Sequence, residues 1–321
     1  MGFVGPLFAV LALLSAHGWG RAGLVALRSP GLTAPVTMVF GVAVIVFLGG
    51  LVNLAGIAYG GSLDVIGGAG CLLAVLFTAR ERPQRPSAAS VIAGVVALIP
   101  TAFVSATQVP IGLFDFLDDF SKYFAYPVRM LGTGTLAGGG LNSLGTETLG
   151  GQALLDGFLL AHAPLTTINA VDAVFGLALC GLLLAGQIRR WGWSWLPLLG
   201  GVLLLAVVPN QYVNISTLYL GVALLAAAIV LLAEGGERAL VLGAILGTLI
   251  VLKVSFAVAA ALAAILGLAA TLPALGLRAA LRPGWCGPQS AAASCCCRGW
   301  GYSVAICGPR CREARISRNR R

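Results

Sequence analysis

PVTMVFGVAVIVFLGGLVNLAGIA, residues 35–58, runs for twenty-four positions without a charged side chain. A helix crosses the ~30 Å hydrocarbon core of a bilayer in about 20 residues. This run is long enough to do so, and it is apolar around its whole circumference, so neither face suits water. Comparable runs occupy 3–19, 63–79, 89–107, 166–188, 193–208, 215–233, 238–252 and 254–275. Lys253 separates the last two, which read either as two spans or as one broken helix.

The whole chain agrees with its parts. Of its 321 residues 59% are hydrophobic and 10% charged, and the mean hydropathy is +0.96. A soluble domain of this size could not bury so much apolar surface. The expected fold class is all-α integral membrane: a polytopic bundle of about nine transmembrane helices, with an extracytoplasmic loop containing short interfacial helices. The first run begins at Gly2 without a basic leader and is followed by Arg21, which reads as a span rather than a cleaved signal peptide.

Charge sets the expected orientation. Arg21, Arg28, Arg80, Arg82, Arg85, Arg189, Arg190, Arg238, Arg278 and Arg282 all fall in alternate connections, while Lys122, Arg129 and Lys253 fall on the other side. By the positive-inside rule the arginine side is cytoplasmic. The N-terminus and residues 108–165 are then extracytoplasmic. The formal charge of +9 belongs largely to the C-terminal tail, where residues 283–321 carry seven Arg against one Glu. Such a balance is no argument for nucleic acid, and the bilayer is the expected partner.

Four segments follow: N-terminal spans at 1–107, an acidic and aromatic loop at 108–165, further spans at 166–281, and a tail at 282–321. The loop holds most of the chemistry. In FDFLDDFSKYFAYPVRMLGTGTL, residues 114–136, Phe116, Phe120, Tyr123, Phe124, Pro127 and Leu131 recur at three- and four-residue steps. Asp115, Asp118, Asp119, Lys122, Tyr126 and Arg129 fill the positions between them. That is an amphipathic helix suited to a membrane interface, with Pro127 ending or kinking its first part. GTGTLAGGG at 132–140 reads as a turn, and 149–164 as a second short helix.

Asp118 and Asp119 are the leading candidates for chemistry. A carboxylate at the membrane surface can deprotonate a hydroxyl, or hold a divalent cation against a phosphate. The plainer reading is a solvated helix face, with Asp118 one turn from Lys122. Arg129 offers a planar fork for a phosphate, or snorkels from the interface. Lys253, within apolar surroundings, either meets an anionic lipid phosphate or snorkels at a helix end. Glu147 and Gln152 flank a Gly pair, and His162 precedes a proline in a position more usual for a structural or solvated histidine.

The ordered series DDFSKYFAYPVRMLGTGTL, LGTETLGGQALL and AHAPLTTINAVDAVFG, over about residues 112–180, resembles bacterial membrane proteins of the GT-C glycosyltransferase class. The likeness is to members with a DD-x-x-x-Y-x-x-x-P-x-x-ML-x-TG loop and a following GGQ. It implies a transmembrane bundle in the cytoplasmic membrane and a sugar donor on a polyprenyl phosphate. It also implies an acidic catalytic base in the extracytoplasmic loop. By position, Asp118 or Asp119 is that base, and Tyr123, Arg129, Glu147 and Gln152 line the site. The activity implied is transfer of the sugar to a cell-envelope acceptor. The alternatives are a transporter or flippase of a lipid-linked or small polar substrate, and an inactive truncated product.

The last alternative comes from the tail. It holds six of the eight cysteines and no hydrophobic periodicity. Cys295, Cys296 and Cys297 are consecutive and no histidine lies near, a poor pattern for tetrahedral zinc. An Arg-, Gly-, Ala-, Cys-, Trp- and Pro-rich run after Leu281 is what GC-rich DNA yields when read out of frame, and the chain is expected to be truncated there.

Overall fold

Each apolar run resolves into a helix whose ends are set by the residues that flank it. The computed structural model describes residues 4–29, 31–80, 87–109, 123–137, 150–190, 195–207, 217–234 and 238–271. Among them every regular element is helical: α1 (Val4–Ala26), α2 (Ala34–Leu54), α3 (Gly60–Arg80), α4 (Ala88–Gln108), α5 (Ala125–Thr133), α6 (Gly151–Leu160), α7 (Leu177–Arg190), α8 (Trp195–Val207), α9 (Leu218–Ala233), α10 (Ala239–Leu252) and α11 (Ala257–Thr271). Extended backbone at Thr33 with a proline in the first turn starts α2. The Ser87 hydroxyl caps α4 by accepting from the Ser90 amide at 3.3 Å.

Five helical stretches are long and apolar enough to cross a membrane: Val4–Ala26, Ala34–Leu54, Gly60–Arg80, Ala88–Thr107 and Leu165–Gln187. The last joins a 3₁₀ turn at Leu165–Thr167, a π-helical turn at Val171–Gly176 and most of α7. The expectation of about nine spans thus meets five of full length. The apolar helices α8 to α11 have 13, 16, 14 and 15 residues. At 1.5 Å per residue these reach only about 20–24 Å as described. The first helix exceeds its expected 3–19 limits, because Arg21 rides on its last turns, stacked over the Phe77 ring at 5.9 Å.

Close packing at small residues holds α1, α2 and α3 together. A Cβ on Gly18 would collide with the Gly70 carbonyl, and one on Gly41 with the Ala16 carbonyl. Backbones this near are the usual device where lipid supplies no hydrophobic drive for helix association. Around this seam, Val36, Val39, Phe40, Leu63, Leu179 and Leu224 are buried. Phe47, Val65, Leu72, Leu204 and Leu266 are exposed, so the bundle is apolar outside as well as inside.

The helices alternate in direction, which sorts their ends. At one end lie Arg21 and Arg28 of the first helix and its exit, Arg80 of α3, and the Glu234–Arg238 pair at 2.9 Å. The short helices α5 and α6 pack at the other. Ala58 donates its amide to the Gly134 carbonyl at 2.7 Å, and the Asn53 side chain accepts from the Leu136 amide at 2.7 Å. Gly134 needs its left-handed φ of +78° to close α5, and a side chain there would strike the Gly56 carbonyl.

Candidate functional site

The site is assembled at the end where α5 and α6 dock. A sharp start at Gly150, φ +90°, lets α6 begin against the last turn of α10, where a Cβ on Gly151 would sit 3.0 Å from the Val251 carbonyl. From there α6 runs inward against α2 and α3, with Leu154 over Gly49 and Gly157 against Met130 and Leu63. An amphipathic surface helix would show its polar residues to water. Here Gln152 and Asp156, one turn apart, are 2% and 1% exposed, and Gln152 hydrogen-bonds the Asp156 carboxylate.

Asp172 is the second buried carboxylate. It stands in the π-helical turn and accepts three backbone amides from the start of α9: Leu218 at 2.9 Å, Tyr219 at 3.1 Å and Leu220 at 2.8 Å. The first amides of a helix have no partner within it, and a carboxylate also suits the positive end of the helix dipole. Asp172 therefore caps α9 from a different segment of the chain. Asp156 lies within electrostatic reach of it, and so does Lys253.

The helix break falls at Lys253. Its backbone is extended, φ −156° and ψ 127°, between the end of α10 and the 3₁₀ turn Val254–Phe256. The residue is half-buried at the same end as Asp156 and Asp172. A charge inside an apolar bundle stands where a partner or cavity receives it, and the Asp172 carboxylate lies within its electrostatic reach.

The outer face of this end carries a third feature. His162 Nε2 and Asp64 Oδ1 are 2.6 Å apart, with side chains 65% and 48% exposed. They stand at a cleft of about 560 Å³ whose walls are apolar, including Phe8, Leu11, Gly67 and Phe158. The cleft opens between α1, α3 and α6. Among the described residues no three His, Cys, Asp or Glu side chains come together as transition-metal ligands would.

Of the residues singled out in sequence, Asp118, Asp119 and Glu147 lie outside the described residues. Tyr123 is buried, and it packs with Phe124 and Ile168. Arg129 projects from α5 and donates to the Ala137 carbonyl at 2.8 Å, which ties the turn after α5 to the helix. Pro127 is the third residue of α5 and is buried there. Gln152 and Lys253 converge on the buried carboxylates, through α6 and the α10 break. Arg129 belongs to the neighbouring α5 layer.

Sequence reasoning passed over Asp64, Asp156 and the capping role of Asp172. Each had a signal. Asp64 opens an otherwise uncharged span, and Asp156 follows Gln152 by one helical turn within an apolar segment. An acid in such a place is costly unless something holds it. No protein-family model, curated protein or solved structure matches the chain.

Proposed function

We propose that the chain is a membrane-embedded transferase of the GT-C glycosyltransferase kind, acting on a lipid-linked sugar in the bacterial cytoplasmic membrane. The observation that carries this reading is the apolar cleft with the Asp64–His162 pair at its edge, at the end where the acidic loop departs. A cleft of that volume and lining suits a prenyl or acyl chain, and the polar end suits a head group held at the interface. In this reading about nine helices cross the bilayer. The N-terminus and residues 108–165 face outward, and the arginine end and the tail are cytoplasmic.

In the transfer step, Asp118 or Asp119 takes the proton of an acceptor hydroxyl as that oxygen attacks the anomeric carbon. The bond from that carbon to the carrier phosphate breaks, and the electron pair leaves on polyprenyl phosphate. Arg129 or Lys253 stabilises the departing charge, and Tyr123, Glu147 and Gln152 shape the site. A divalent cation held by the loop carboxylates would supply further phosphate neutralisation. The test uses proteoliposomes holding the full chain and radiolabelled polyprenyl-phosphate sugar. Joint Asp118→Asn and Asp119→Asn replacement should abolish transfer; transfer that continues undiminished would sink the reading.

One observation favours translocation of a lipid-linked or small polar substrate instead. Two carboxylates are buried beside an interrupted helix, a construction common in transporters. Uptake of the labelled substrate into the same vesicles without any change in its covalent form would decide for that alternative.

A further inference from the structure

We propose that the Asp156 carboxyl carries a proton in the folded chain, and that this proton fastens α6, one wall of the apolar cleft, to the bundle. The latch stands whether or not the cleft serves sugar transfer.

Two faces of α6 meet different surroundings. Leu155, Phe158 and Leu159 line the cleft, and His162 stands at its edge. Gln152 and Asp156, one turn apart, lie outside that lining and are buried. The Gln152 side chain hydrogen-bonds the Asp156 carboxyl, while Asp156 Oδ2 is buried with no hydrogen-bond partner among the described residues. An ionised carboxylate only accepts, so it would leave that oxygen unsatisfied and its charge buried. A protonated carboxyl is also a donor, and a primary amide both donates and accepts. With the proton on Oδ2, Asp156 and Gln152 can join through two hydrogen bonds instead of one.

The elements packed on α6 are α2, α3, α5, α10 and the 3₁₀ and π-helical turns before α7. Among the described residues none of them pairs Asp156 with a cation. No charged side chain lies in α2. Helix α3 brings Asp64, which is paired with His162, and Arg80 at its far end. Helix α5 brings Arg129, which donates to the Ala137 carbonyl. Lys253, after α10, lies within electrostatic reach of Asp172, and Asp172 is the charge that acts on Asp156. Asp172 has three backbone amides to hold a negative charge, and Asp156 has one side-chain amide. Where two carboxylates share a buried region, the less well supported one takes the proton. Burial, and after it the Asp172 carboxylate, pushes the Asp156 carboxyl well above the usual carboxylate range, against a smaller opposite pull from Gln152.

Loss of the proton would bury a second negative charge near Asp172, and α6 must shift toward water to hydrate it. Leu155, Phe158 and Leu159 shift with it, which opens the cleft. By linkage, an occupant that holds α6 in place also tightens the hold on the proton. The unfolded chain releases this proton in the ordinary carboxylate range, and the folded chain only at higher pH. The stability it contributes is therefore complete below that range and is lost as pH rises through the folded pKa.

The experiment compares the purified full chain with Asp156→Asn in detergent micelles. Asn has the shape of a neutral carboxyl and can both accept from and donate to Gln152. Between about pH 5 and about pH 8 the unaltered chain should lose about 3 °C or more of Tm relative to the variant. Over the same range, hydrogen exchange of the α6 amides should rise relative to those of α2, in the unaltered chain only. The infrared spectrum near neutral pH should show a protonated-carboxyl band that the variant lacks. Parallel Tm curves overturn the proposal, and so does α6 exchange that tracks α2 at every pH. A folded variant less stable than the unaltered chain across the whole range also overturns it, since Asp156 would then stabilise as an ion. Should the variant not fold, exchange and infrared titration of the unaltered chain decide alone, with a pH-independent α6 and no protonated-carboxyl band as the overturning result.

Discussion

The two ends of the bundle solve the problem of charge in opposite ways. At the arginine end Arg28 and Arg80 reach water from a helix exit and a helix end, Arg21 lies over the Phe77 ring, and Arg238 pairs with Glu234 at 2.9 Å. Flexible cationic chains can leave an apolar bundle without disturbing it. At the docking end, beside Lys253 and Arg129, stand short carboxylates, and two of them are drawn inside. A short acid cannot snorkel, so the fold must supply its partners. Asp172 obtains three amides from α9, and Asp156 obtains Gln152. One end is tolerant by construction, and the other is specified atom by atom.

Substitution should expose that difference most sharply at Asp172. Asp172→Ala leaves three amides at the start of α9 without an acceptor in a buried place. The expected loss is about 3–5 kcal/mol, read as a lower unfolding midpoint in detergent micelles. Asp172→Asn keeps one acceptor oxygen and should lose roughly half as much. Equal and small losses for both would mean that water replaces the cap, and the contrast between the ends would weaken.

Next in size is the seam that both ends share. Gly41→Ala places a methyl group against the Ala16 carbonyl, and no rotamer relieves a backbone collision. The helices must separate, at about 1–3 kcal/mol. Gly50→Ala, in the same helix but with open space around it, should change the midpoint little. Thermal unfolding of the two variants side by side tests whether α1, α2 and α3 are joined by their small residues.

How much of this was legible in the sequence differs by end. The helical class and the long spans follow from uncharged runs such as 35–58. The break at Lys253 could be anticipated, because a lysine in the middle of thirty apolar residues must stand at some interruption. The apolar stretch around Asp156 hinted at its burial, but the partners that hold Asp156 and Asp172 were not legible. What fixes them is contact across long separations, as between Asp172 and Leu218–Leu220. The shortness of α9 and α10 was hidden for another reason. Hydropathy measures composition and is silent about where a helix stops. The segment carrying Asp118, Asp119 and Glu147 lies outside the described residues, so the loop chemistry stands on its pattern alone.

The docking of α5 should give a smaller, local effect. The Asn53 amide oxygen holds the Leu136 amide at 2.7 Å, and its loss in Asn53→Leu should cost about 1 kcal/mol. Protease accessibility near residues 130–137 should rise, while the global unfolding midpoint moves little. An unchanged cleavage pattern would mean that the Ala58–Gly134 bond and the Gly134 turn suffice to hold the layer in place.

The least effect on stability is expected at Asp64 and His162, and it is also the most informative about function. Both side chains are largely exposed, and exposed ion pairs contribute about 0–1 kcal/mol. Asp64→Asn and His162→Gln should therefore unfold within about 0.5 kcal/mol of the unaltered chain. If the cleft beside them takes the hydrocarbon of a lipid-linked substrate, the same variants should lose affinity for the head group. The apparent KM for the polyprenyl-phosphate sugar would rise about tenfold, with kcat less affected, since the pair holds the substrate and stands apart from Asp118 and Asp119 in the proposed mechanism. Gly67→Leu, which fills the wall of the cleft without touching the pair, should raise KM in the same manner. A pair that can be removed with no change in stability or KM would be solvated surface, no more specified than the arginines at the opposite end. The division between a tolerant and a specified end would then begin at the buried carboxylates and leave the outer face out.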